Sequence, residues 1–375
     1  MKQSTFFLLI FMLMISSIST GQTYTFTFDG QIRSYDVHLP PGYNESTSYP
    51  LVLELHGSSI TPALTKEYTR MDHVADTANF IVVYPCGVGL QWNNGYGSSS
   101  TADDVGFISA LIDTMNRNFS IDTNRIYATG GSAGGFMCYR LACEIPWRFA
   151  AIASVAGLMA NSVRLNCQND CAMPILHIHG TSDINVPYAG TPGFVSVDST
   201  MKIWIAKDNC PTSPVVTNIP DTNLTDSSHV IKYYYGTGTN GNEVILYKVI
   251  FGSHSYPGGD TIVSISHTNM DMIASVETWN FFKNHTRQCQ FTGITENSNT
   301  LSIECFPNPA TNTITISANT NNATLIVYNM QGQQMKQIQI KESIAEINIS
   351  SWAKGIYFAK IFTKKGIDVK KFIKE

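Results

Sequence analysis

The run Gly130-Gly131-Ser132-Ala133-Gly134 constrains this chain more than any other stretch, because of what flanks it. Arg125-Ile126-Tyr127-Ala128 before it reads as a short buried strand, and Phe136 to Leu141 after it reads as helix. A serine between a strand and a helix occupies a sharp, strained turn. Its neighbours must be small enough for backbone to pass closely. Such a turn lifts the hydroxyl over the carboxyl end of a sheet. The bland alternative is a glycine-rich turn with an incidental serine, and the strand-turn-helix context weighs against it.

A serine hydroxyl is a poor nucleophile at neutral pH, so it needs a base, and the base needs an orienting group. Folds built around this turn supply them in the order Ser, then Asp or Glu, then His. Asp183 lies just past the apolar strand Ile175-Leu176-His177-Ile178-His179, and His254 lies just past the strand Val244 to Ile250. Three residue types, in order and each after a strand, form a far more specific pattern than any one of them. Acyl transfer also needs donors for the developing oxyanion. The Ala133 amide, directly after the serine, is one candidate. The Ser58 amide is the other, in His56-Gly57-Ser58-Ser59 after the strand Leu51 to Leu55.

At 375 residues two domains are expected, and 43% hydrophobic with 14% charged residues indicates globular material. A net charge of −4 supplies no field for nucleic acid. The apolar run Phe6 to Ile15 after Lys2, followed by small residues, reads as a secretory signal peptide over residues 1–21. No later stretch is long enough for a membrane helix. Eight cysteines suit an exported protein. Cys167 and Cys171 are placed to pair locally, and Cys210 and Cys289 to pair with each other or with Cys86, Cys138 or Cys143. Zinc is the rival use of cysteine, but no C-x₂-C pair exists, so no metal or cofactor is expected.

From Tyr24 to about His285 strands and helices alternate. Tyr24 to Phe28 and Ile32 to Leu39 form an opening antiparallel pair. The inner strands are Leu51–Leu55, Phe80–Tyr84, Arg125–Ala128, Ala150–Val155, Met173–His179 and Val244–Ile250. Helical stretches run over Val105–Asn118, Met201–Lys207 and Asp271–Asn284. The fold class is therefore α/β, a mostly parallel sheet covered on both faces over residues 22–288. Residues 289–302 are polar and aperiodic, a linker. Beyond it, over 303–375, short alternating runs such as Ile314/Ile316 and Leu325/Val327 predict a small all-β sandwich of roughly seven strands. It holds no histidine, and its terminal lysines read as a solvated face.

Several motifs resemble the polyhydroxybutyrate depolymerase and feruloyl esterase group of secreted α/β-hydrolases. They are Leu55-His56-Gly57, Tyr84-Pro85-Cys86-Gly87 with Trp92-Asn93, Asp103 to Phe107, Gly130 to Gly135, Arg148 to Ile152 with Val155-Ala156-Gly157, His179 to Asp183 and Gly252-Ser253-His254. The resemblance covers about Thr23 to His285. It implies a serine carboxylesterase with Ser132, Asp183 and His254 as nucleophile, acid and base. It also implies feruloyl or acetyl esters of plant polysaccharide as substrates. A tryptophan common two residues after the family histidine is Tyr256 here, a departure at the pocket wall rather than in the catalytic set. The tail resembles the sorting domain of the type IX secretion system through Phe306-Pro307-Asn308-Pro309-Ala310, Val327-Tyr328-Asn329 with Gly332, and Gly355-Ile356-Tyr357-Phe358. That likeness implies export through the periplasm to the outside or the cell surface, with the secretion machinery as partner. A polyester depolymerase, a serine peptidase on the same fold and a non-enzymatic surface binding protein are the alternatives.

Smaller signals have plainer readings. His177 and His179 share one side of a strand and read as satisfied core imidazoles, since no carboxylate ligands are spaced nearby. Asp103 and Asp104 open a helix, where carboxylates cap. Trp92, Tyr96 and Tyr256 fall in loops on the catalytic side, placed either to line an aromatic slot for a phenolic acyl group or to pack the loops.

Overall fold

The computed structural model describes residues 22–97, 100–167, 171–259, 268–289, 303–318, 323–330, 333–340, 343–363 and 366–375. The expected leader, and the expected linker apart from Cys289, lie outside them. The chain divides into two units, Met1–Gln290 and Phe291–Glu375.

The first unit opens with β1 (Gln22–Phe28) and β2 (Gln31–His38), antiparallel as expected. Then come β3 (Tyr49–Leu55), β4 (Ile81–Pro85), β5 (Ile121–Gly131), β6 (Ala151–Val155), β7 (Ile175–Gly180), β8 (Val215–Asn218), β9 (His229–Tyr235) and β10 (Val244–Ile250). They form one sheet in the order β1-β2-β4-β3-β5-β6-β7-β10-β9-β8. The six strands from β4 to β10 in that order are parallel. All seven residues of β3 are buried, because a central parallel strand is covered on both faces. The chain steps from β3 outward to β4, then returns to the far side of β3 with β5. This reversal leaves a crevice beyond the carboxyl ends of β3 and β5, where ligands bind in open α/β sheets.

Among the described residues, seven α-helices cover the sheet: α1 (Pro62–Thr69), α2 (Met71–Ala78), α3 (Asp104–Asn118), α4 (Ala133–Glu144), α5 (Asn161–Asn166), α6 (Val197–Lys207) and α7 (Ala274–Phe282). Leu51, Leu53 and Leu55 of β3 belong to the buried cluster that also holds residues of α3, α4 and α6, whereas Val52 joins Tyr68, Met71, Phe281 and Phe282 in the cluster on the opposite face. Glu54 shares the face of Val52, is fully buried, and among the described residues neither carboxyl oxygen has a hydrogen-bond partner.

The cysteine pairing differs from expectation. Cys143 bonds Cys167, and Cys171 bonds Cys289, while Cys86, Cys138 and Cys210 are thiols. Cys143 on α4 is 4.8 Å from Cys167 between Cα atoms, and that proximity is tertiary, invisible in spacing. Asp103 caps α3 by accepting from the Gly106 amide, as anticipated. Asp104 does something else: buried, it pairs with Arg33 at 2.7 Å and accepts from the Asn93 amide. That pair ties β2 to the loop carrying Trp92.

The second unit contains β11 (Ile303–Phe306), β12 (Thr313–Ala318), β13 (Ala323–Asn329), β14 (Gln334–Ile340), β15 (Ile344–Asn348), β16 (Gly355–Thr363) and β17 (Gly366–Lys374). They form two antiparallel sheets, β11-β12-β15 and β14-β13-β16-β17. Ile314 and Ile316 of one sheet and Leu325, Val327 and Ile361 of the other share a buried cluster. Among the described residues no helix is long and apolar enough to cross a membrane.

Candidate active site

Ser132 follows β5 with φ 54° and ψ −119°, a left-handed conformation that costs a non-glycine residue about 1–3 kcal/mol. The surroundings hold it there. Its amide donates to Val155 O at 2.8 Å, and its carbonyl accepts from the Phe136 amide at 3.1 Å. Glycine is required alongside, since a Cβ on Gly134 would stand 2.1 Å from the Leu55 carbonyl oxygen. The close approach of α4 to β3 therefore depends on a bare backbone.

Asp183 comes three residues after β7 and His254 four after β10. His254 Nε2 lies 3.0 Å from Ser132 Oγ, and its Nδ1 lies 2.7 Å from Asp183 Oδ2. Asp183 is buried, and its Oδ1 accepts from the amides of Asn185 and Val186. The loops are tied together, because the Ser182 amide donates to Gly252 O and the Phe251 amide to Thr181 Oγ1. All three predicted residues thus meet at one rim of the sheet, the carboxyl ends of β5, β7 and β10.

Ser58 and Ala133 flank the same spot. A Cβ on Gly57 would lie 3.7 Å from Ser132 Cβ, and Ala133 begins α4, where the first amides lack intrahelical acceptors. The Gly57–Ser58 turn is braced from below. His56 Nδ1 donates to Gly57 O at 2.7 Å, its Nε2 accepts from the Gly87 amide at 2.9 Å, and Trp92 Nε1 donates to His56 O at 2.9 Å. Burial lowers the His56 pKa to about 4, keeping the ring neutral in the one tautomer those partners require.

A cavity of about 320 Å³ opens beside Ser132, lined by Ser58, Ile60, Tyr68, Asn185, Tyr256 and Thr268 among others. Of the three aromatic residues expected at the substrate, Tyr256 lines it and the other two do not. Trp92 is wholly buried against His56, with ring centroids 4.7 Å apart. Tyr96 stacks on Phe136 and meets Phe194 edge-on. Both pack loops, for a physical reason: each large ring finds another ring to lie against, the His56 imidazole for Trp92 and Phe136 for Tyr96. Tyr68 was missed, and its only signal is the period of a short helix. Among the described residues no group of three or more potential metal ligands occurs.

Residues 33–195 match the family model described as esterase PHB depolymerase, and residues 304–375 match the secretion system C-terminal sorting domain. The chain is 29% identical over 227 residues to a bifunctional acetylxylan esterase/xylanase of Neocallimastix patriciarum, covering 60% of this chain and 31% of that protein. It is 31% identical over 180 residues to feruloyl esterase D of Neurospora crassa, covering 44% of this chain and 59% of that one. The chain therefore spans less than two thirds of the length of these relatives. The solved acetyl xylan esterase from Aspergillus awamori superposes with a TM-score of 0.50 at 14% identity, over 70% of this chain and 99% of that one. That likeness establishes the fold, and the sorting domain marks an exported, extracellular or cell-surface protein.

Proposed function

We propose that this protein is a secreted serine carboxylesterase, a reading supported by the match of residues 33–195 to the esterase PHB depolymerase family model and of residues 304–375 to the secretion system C-terminal sorting domain. One observation carries the reading: the unbroken contact line from Asp183 Oδ2 through His254 to Ser132 Oγ, at 2.7 and 3.0 Å, beside an open cavity. Ser132 Oγ attacks the ester carbonyl carbon while its proton passes to His254 Nε2. Asp183 accepts from Nδ1 and so keeps Nε2 bare beforehand. The Ser58 and Ala133 amides hold the oxyanion, each worth roughly 10²–10³ in rate. His254 then returns the proton to the leaving alkoxide. Water, deprotonated by the same ring, releases the acid and restores the serine.

Feruloyl or acetyl esters of plant polysaccharide are the proposed substrates, supported by the names of the two relatives, an acetylxylan esterase and a feruloyl esterase. A polyester depolymerase is the second reading, favoured by the matched family's description. Ser132→Ala should lower p-nitrophenyl acetate turnover roughly 10⁶-fold. Retention of most activity would remove the serine from its role. A panel of methyl ferulate, acetylated xylan and polyhydroxybutyrate separates the substrate readings, and a peptide amide tests the peptidase alternative.

A further inference from the structure

His177 and His179 are wholly buried on β7 and satisfied, as expected, but their partners form a chain with a direction. Tyr139 Oη on α4 lies 2.8 Å from His177 Nδ1. His177 Nε2 lies 3.2 Å from His179 Nδ1. His179 Nε2 lies 2.8 Å from Val186 O and 3.4 Å from Asp183 Oδ2.

Each proton has one place. A carbonyl only accepts, so His179 Nε2 must carry hydrogen. Burial lowers the pKa of both rings, so each carries a single proton and the opposite nitrogen accepts. Hence His179 Nδ1 accepts from His177 Nε2, and His177 Nδ1 accepts from the Tyr139 hydroxyl. Burial raises the phenol's pKa, which keeps that hydrogen in place. All three links run in one direction and end on Val186 O, in the loop that carries Asp183. The far end holds Val186 on both sides, its carbonyl by His179 and its amide by Asp183 Oδ1 at 2.8 Å. The other titratable groups packed near His179 are His254, Tyr188 and, one strand over, Lys248.

We propose that Tyr139, His177 and His179 are positioning residues for esterolysis, a one-way hydrogen-bond relay that fixes the Asp183–Val186 loop and so aims Asp183 Oδ2 at His254. The inference rests on the catalytic reading above. Loss of the Nε2 donor frees the Val186 carbonyl, and the carboxylate drifts from the imidazole. A misplacement of about 1 Å costs roughly 10²-fold in rate.

His179→Met removes the donor, whereas His179→Gln keeps an N–H near the Nε2 position. Tyr139→Phe deletes only the relay's first hydroxyl. The assay is p-nitrophenyl acetate hydrolysis by the full chain, together with the low-field proton resonance of the His254 Nδ1–H bond to Asp183. His179→Met should lose about 10²-fold in kcat with KM held, and its low-field signal should weaken. His179→Gln should recover most of both. Tyr139→Phe should lose about 2- to 30-fold, the range seen for coupling through packed networks. If His179→Met does not fold, His179→Gln and Tyr139→Phe decide. Full kcat and an unmoved resonance in folded Tyr139→Phe and His179→Met would overturn the relay and leave the esterase reading standing. Inactive wild-type protein with the resonance pattern as expected would sink the esterase reading instead.

Discussion

Glu54 gives the sharpest quantitative prediction. Its carboxyl is buried on β3 opposite Thr129 of β5, and among the described residues neither that carboxyl nor the Thr129 hydroxyl has a hydrogen-bond partner. Desolvation, with Asp72's charge adding to it, raises its pKa to about 8. In the unfolded chain the same group ionises near 4.5. The sign follows: the folded state holds the proton longer, so the stability linked to it is complete below 4.5 and falls as pH rises toward 8. At pH 7 the group must stay neutral at a cost of about 3 kcal/mol relative to pH 4.5. Glu54→Gln carries a neutral amide of the same shape and escapes that cost. It should match wild type near pH 4.5 and exceed it by about 3 kcal/mol at pH 7, raising Tm by roughly 5–10 °C. Calorimetric melting of both proteins at the two pH values makes the comparison. A variant less stable than wild type by the same margin at both would refute the reasoning, because it would mean an ionised, stabilised carboxylate.

Three further perturbations test other parts. Asp183→Asn places an amide donor against His254 Nδ1, forces the wrong tautomer, and should lower kcat roughly 10⁴-fold in the p-nitrophenyl acetate assay. Trp92→Phe removes the donor to His56 O and loosens the Gly57–Ser58 turn. Turnover should fall about tenfold with little change in KM, measured by steady-state kinetics. Cys289→Ser opens a bridge between residues 118 apart, and urea unfolding should register a loss of about 2–4 kcal/mol.

What the sequence made legible follows from where each signal arises. Strands β3, β4, β6, β7 and β10 are buried along most of their length, so their predominantly apolar runs stood out within a residue or two of their ends, despite Glu54, Ser154, His177, His179 and Lys248. β8 was missed because all four of its residues are exposed, and β9 because it is half-buried and tyrosine-rich. Helices α1 and α2 are short and rich in Thr, Asp and Glu, and their turns show only in three dimensions. Ser132, Asp183 and His254 could be picked out because each closes a strand. Trp92 and Tyr96 could not be told from substrate contacts, since an aromatic ring in a loop looks the same whether it faces solvent or packs inward. Glu54 sits in Leu53-Glu54-Leu55, a pattern that equally describes a strand with one wet face. The relay stayed hidden because its first hydroxyl comes from α4, far from β7 in the chain.

The base reaches the serine across 122 residues. A nascent polypeptide that has emerged only through α4 therefore carries an activated turn with nothing to deprotonate it. Under the proposed mechanism, hydrolytic power is withheld until β10 docks, nearly at the end of the first unit. A ribosome-bound or clipped intermediate is chemically silent, and turnover itself becomes a readout of completed assembly.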